Sequence, residues 1–256
     1  MLRFIIFFTV FITFSISAFA QESFSLLHSI DKSLASIFTN PAGLSTLKKS
    51  AVLIQHENPF LLDELESNSI GICSPLKASV FAISFKQFGS EDYLLQHSKL
   101  SLGRSFGKFS GGISFSYRYE FINDGFGATH NMRVDLGIQI DFSNAITAGF
   151  QIQNPGGNPE INEPILMSIG CKYEINTLTK IAIELEKENK TDPISKLSLQ
   201  YKYYKNFELL FAIQNGEQAY QIGNAFTFHQ FQCQLNTSYH VQLGFGLQYL
   251  LSFQLQ

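Results

Sequence analysis

From about residue 50 onward the chain alternates between apolar and polar positions. From Met132 to Asp141 every second residue is apolar, and those between are charged, amide or Gly. Lys180 to Glu186, Gln230 to Asn236 and Leu243 to Tyr249 repeat the rhythm. Side chains alternate faces along a strand, so each segment has one greasy face and one polar or small face. Turn signals separate the runs: Asn123-Asp124-Gly125, Asn154 to Pro159, Thr191-Asp192-Pro193 and Asn215-Gly216. The count is about fourteen strands, from 50–58 through 108–122, 128–142, 163–174 and 177–188 to 243–254. Many reach the ~9–11 residues that a tilted membrane strand needs, against a mode of ~5–6 in soluble proteins.

The residues on each face separate a membrane barrel from a soluble sandwich. Ser110, Gly112, Ser114, Ser116, Arg118 and Glu120 share one face; Phe109, Ile113, Phe115, Tyr117, Tyr119 and Phe121 share the other. So many aromatics would crowd a sandwich core, whereas in a barrel they face lipid and the Tyr residues form an interfacial girdle. No strand edge can stay open in lipid, so the sheet must close. The fold class is therefore all-β: a closed antiparallel transmembrane β-barrel of about 14 strands, in up-and-down order.

The first residues follow a different pattern. Arg3, the apolar run Phe4 to Phe14 and the small residues Ala18 and Ala20 predict a signal peptide over 1–20. Residues 21–49 place Phe24, Leu26, Leu27, Ile30, Leu34 and Ile37 near a helical period, with Asp31 and Ser33 as local caps. Asn40-Pro41 then resists helix, and Gly43 permits a reversal. About fourteen strands would enclose an open channel, so 21–49 is expected to be a hatch that fills the lumen, with 50–256 forming the barrel.

Composition narrows the function. Charged residues are 15% and the net charge is −3, which with no basic face excludes a nucleic-acid partner. Phe numbers 26 and Tyr 10 while Trp is absent, so Phe and Tyr carry the interfacial anchoring. Cys73, Cys171 and Cys233 have no metal-ligand or disulfide spacing; Cys171 and Cys233 fall on the lipid face. Neither a cofactor nor a metal is expected. His97 and Ser101 share a strand face, but no nucleophile motif accompanies them, so an enzyme is not expected. Arg118, Glu120, Arg133, Asp135, Asp141, Lys180, Glu184, Glu186, Lys196 and Lys202 all fall on predicted inward faces. Both signs occur, with Arg118 and Glu120 expected to pair across strands with Arg133 and Asp135. A balanced interior fits a filled lumen better than a charge-selective pore.

Ser33 to Ser45, with Asn40-Pro41-Ala42-Gly43-Leu44 at its centre, resembles the N-P-A-G-L signature that follows the signal peptide in FadL-like outer-membrane barrels. That superfamily includes long-chain fatty acid transporters and the PorV/PorQ barrels of the type IX secretion system. Ser238 to Leu247 is similar to the closing strands of the PorV/PorQ branch, with Val241 where that branch has Pro. The resemblance implies a barrel in outer-membrane lipid with an N-terminal hatch joined to the wall at Asn40 to Leu44. On the PorV/PorQ side it implies a non-catalytic component of a secretion or envelope assembly with envelope-protein partners. On the transporter side it implies passive passage of a hydrophobic molecule such as a long-chain fatty acid.

Overall fold

The computed structural model describes residues 27–123, 127–157, 164–189, 191–215 and 219–255. The expected signal peptide lies outside them. Two short 3-10 turns, Leu34–Ile37 and Pro41–Thr46, precede fourteen strands. These are β1 (Ala51–Asn58), β2 (Ser67–Leu76), β3 (Ser79–Gly89), β4 (Tyr93–Phe106), β5 (Phe109–Ile122), β6 (Gly127–Asp141) and β7 (Ile146–Gln153). They continue as β8 (Leu166–Glu174), β9 (Thr179–Glu188), β10 (Ile194–Tyr204), β11 (Phe207–Gln214), β12 (Ala219–Phe228), β13 (Phe231–His240) and β14 (Gly244–Gln254). Each pairs antiparallel with its neighbours in sequence, and β1 closes on β14 from Ala51↔Gln254 to Asn58↔Leu247. Closure leaves no free edge between first and last strands, as a lipid-spanning sheet requires.

Burial is inverted relative to a soluble sheet. On β9, Ile183 is 52% and Leu185 49% exposed, while Glu184 is 0% and Glu186 2%. β2 does the same: Ser67, Ser69 and Cys73 are buried, and Ile70 and Ile72 are exposed. Water would not leave such a band of Ile, Leu and Phe outside, but hydrocarbon does. Cys171 and Cys233 lie on this outer surface, and Cys73 points inward. No helix among the described residues is long and apolar enough to cross a membrane; the strands cross instead.

The connections differ at the two ends. At the end where β1 begins, turns such as 77–78, 107–108 and 205–206 are short. At the other end they lengthen, to 59–66 between β1 and β2 and 154–165 between β7 and β8. Short turns mark the periplasmic side of outer-membrane barrels. The 59–66 connection folds into two more 3-10 turns, with Phe60 and Leu61 both at positive φ.

Among its described residues, 27–49, the hatch departs from the helical period expected for 21–49. It forms two 3-10 turns rather than an α-helix. The reason is local: Ser33 accepts a bond from Ala35 N and Asn40 from Ala42 N, so two caps fall only seven residues apart, and Pro41 cannot continue the preceding turn.

Candidate functional site

The site is the contact between hatch and inner wall. Asn40 begins the second turn: its Oδ1 accepts from Ala42 N at 2.9 Å. Its Nδ2 donates to Ser29 O at 2.7 Å and to Phe150 O on β7 at 3.3 Å. One side chain thus holds both hatch segments and the wall. Pro41, Ala42, Gly43 and Leu44 are all buried. Leu44 joins Ile37, Leu53, Val80, Ala82 and Leu250 in an apolar cluster between hatch and wall.

A row of glycines makes the seat. Gly103 on β4, Gly112 on β5 and Gly137 on β6 stand directly opposite one another in register. A Cβ at Gly112 would collide with the Pro41–Ala42 peptide, and one at Gly137 with the Asn40 side chain. The row steps to Gly149 on β7 and Gly170 on β8, also opposite one another, where Ser29 and Ile30 rest. Only a wall without side chains lets the hatch backbone come this close.

Wall side chains satisfy the hatch backbone, which has neither sheet nor long helix to do so. Gln139 Nε2 donates to Ser29 O at 3.0 Å and Asp31 O at 2.9 Å. Lys99 Nζ donates to Phe38 O at 3.1 Å while pairing with Asp135 Oδ2 at 3.2 Å. Glu184 accepts from His28 N at 3.0 Å, Ser29 N at 2.6 Å and Ser29 Oγ at 2.5 Å. Lys32 forms an ion pair with Asp141. Burial holds the His28 imidazole well below its ordinary range and pushes the Asp31 carboxyl up.

The inward charges sort into separate groups. Arg118 pairs with Glu120 along β5 at 2.9 Å, and Tyr93 Oη donates to Glu120 at 2.8 Å. Register does not set these two directly opposite Arg133 and Asp135, since Arg118 faces Asn131 and Glu120 faces Thr129. Register places Ser116 opposite Arg133 and Ser114 opposite Asp135, and those short side chains let Asp135 reach past β5 to Lys99 on β4. Glu186 pairs with Lys196 at 2.9 Å beside Glu184. Lys202 stands opposite Glu208 near the short-turn end of β10. Ser101 bonds Ser114 at 2.8 Å, so its hydroxyl is engaged away from His97. Lys99, Gln139, Gln151 and the His28–Ser29 pair escaped the sequence reading. An amide on a polar face looks like any other until register brings it to a hatch carbonyl.

The hatch leans on one side of the barrel. Between it and the wall of β9 to β13 lies a cavity of about 270 Å³. Leu27, Ile30, Ala182, Leu210 and Ala225 give it an apolar side, and Lys180 and Glu208 stand at the short-turn end.

Among solved structures, the toluene transporter TbuX of Ralstonia pickettii superimposes with a TM-score of 0.69 at 9% identity, covering 92% of this chain and 96% of that one. The toluene transporter TodX of Pseudomonas putida gives 0.64 at 10% identity, over 92% and 96%. The Acinetobacter baumannii outer membrane protein Omp33 gives 0.57 at 8%, over 81% and 98%. No family profile matches the sequence, and no curated protein matches it. At these identities the likeness is one of fold alone: the chain shares the barrel fold of these proteins, and nothing in the comparisons singles out the PorV/PorQ branch.

Proposed function

We propose that the protein is a passive outer-membrane channel for a small hydrophobic molecule, which passes beside the hatch rather than through an open pore. The cavity between the hatch and β9 to β13 carries this reading. Its apolar side accepts a nonpolar body, and its volume falls just below the ~300–1,000 Å³ of pockets for drug-sized ligands. The shared fold with two toluene transporters supports the same substrate class. The inward charges are largely paired, which suits a lumen that excludes ions. The secretion-assembly reading draws no support from the comparisons.

The test is uptake of labelled toluene by cells carrying the protein in a lipopolysaccharide-covered outer membrane. Wild type should speed uptake over cells without it and leave a small sugar unaffected. Ala182→Trp and Ala225→Phe, which fill the cavity, should each return uptake toward background. Equal acceleration of the sugar, or no acceleration of toluene, rejects the proposal.

A further inference from the structure

His28, Glu184 and Glu186 are all buried, and one ligand atom from each lies within 4.8 Å of the others. His28 comes from the hatch and the two carboxylates from β9, so the cluster spans the joint between hatch and wall. We propose that it is a divalent-cation site that ties the hatch to the barrel.

The donor atoms are available. Glu186 Oε2 holds Lys196 at 2.9 Å, which leaves Oε1. Glu184 Oε1 accepts one bond, from His28 N, and a carboxylate oxygen has two lone pairs. His28 Nδ1 lies 3.5 Å from Glu186 Oε2, and a neutral imidazole is a metal ligand. Further buried oxygens lie along the same row of the wall. Ser168 stands directly opposite Glu186 in register, and Gln151 directly opposite Ser168, all on the lumenal face. Ser168 Oγ and Gln151 Oε1 are buried without a hydrogen-bond partner; at Ser168, beside Glu186, a water bound to the cation relieves that cost. One nitrogen, two carboxylates and neutral oxygens, with no thiolate, suit Zn²⁺ or Mn²⁺. Charge points the same way: among the described residues Lys196 is the one ammonium within 4 Å of either carboxylate, facing two of them.

Lys196 and the ion compete for Glu186, and this separates a built site from scattered surface binding. Mn²⁺ binding to the full chain in detergent micelles, followed by electron paramagnetic resonance, should show one ion per chain. Lys196→Met should tighten binding, whereas Glu186→Gln and His28→Asn should each weaken it at least about tenfold. Amide exchange at His28 and Ser29 should slow when Mn²⁺ is added. Heat-modifiability on gels identifies folded barrels, so each variant is scored in its folded fraction. Absence of stoichiometric binding overturns the proposal. So does unchanged affinity in both Glu186→Gln and His28→Asn, or unchanged affinity in Lys196→Met.

Discussion

Glu184 on β9 and Ser29 in the hatch, 155 residues apart in sequence, are joined twice, through Ser29 N at 2.6 Å and Ser29 Oγ at 2.5 Å. The same carboxylate takes His28 N. Removing it leaves the buried His28 and Ser29 donors without their charged acceptor, at a cost of about 3 kcal/mol. Glu184→Ala should therefore raise hatch opening roughly a hundredfold while the strands stay protected. Tryptic cleavage after Lys32 and hydrogen exchange at Ser29 measure it. Unchanged protection would show that the glycine seat alone holds the hatch.

Gly112 and Gly111 are neighbours on β5 that face opposite ways. A Cβ at Gly112 meets the Pro41–Ala42 peptide, while one at Gly111 meets nothing within 4 Å. Gly112→Ala should destabilise hatch docking by at least about 1 kcal/mol, the low end for overpacking. Gly111→Ala should change it little. Thermal melting of the two variants side by side separates a steric seat from the general effect of losing a glycine.

Ile183 is half exposed on the outer face of β9. Lipid is a fluid partner, so Ile183→Phe should change stability by less than about 0.5 kcal/mol, whereas in a packed core it would cost about 1–3 kcal/mol. Ile183→Arg should cost about 2–4 kcal/mol near the bilayer midplane. Urea unfolding in bilayers measures both. A large penalty for Phe would place this face against protein.

Asp31 gives the hatch a pH dependence. Burial raises its carboxyl above 3.8, so the docked hatch keeps that proton at pH values where the unfolded chain has lost it. Docking is then most favourable at the acid end and weakens as pH rises from about 3.8 through the folded value. Asp31→Asn keeps an oxygen for Ser33 N, which Asp31 Oδ1 now bonds at 2.7 Å, and removes the titration. It should flatten this slope and make hatch exchange at neutral pH no faster than in wild type. Steeper loss of protection with rising pH in Asp31→Asn would contradict the assignment.

Much of the wall is legible from the two-residue period. The 108–122 and 177–188 spans read from the sequence fall within two residues of the observed β5 and β9, because turn residues and a face alternation are local signals. The 163–174 span starts early by three residues, since Glu163 and Pro164 look like lead-in to a strand that begins at Leu166. The hatch contacts are another matter. Lys99 with Phe38, Gln139 with Ser29 and His28 with Glu186 join residues that only barrel closure and register bring together. Asp135 shows the limit plainly: its face was readable, but its partner depends on Ser114 and Ser116 being short enough to reach across.

The lipid-facing assignment underlies the rest, and native and introduced cysteines test it directly. A nitroxide on a chain whose sole cysteine is Cys171 reports the outer face of β8, and one on a chain with Ser198→Cys alone reports the lumen beside the cavity. In bilayers the Cys171 label should relax with dissolved oxygen and be shielded from a water-soluble nickel chelate, while the label at 198 should show the reverse preference. Chelate access at Cys171 matching that at 198 would contradict a barrel that turns its apolar face to lipid.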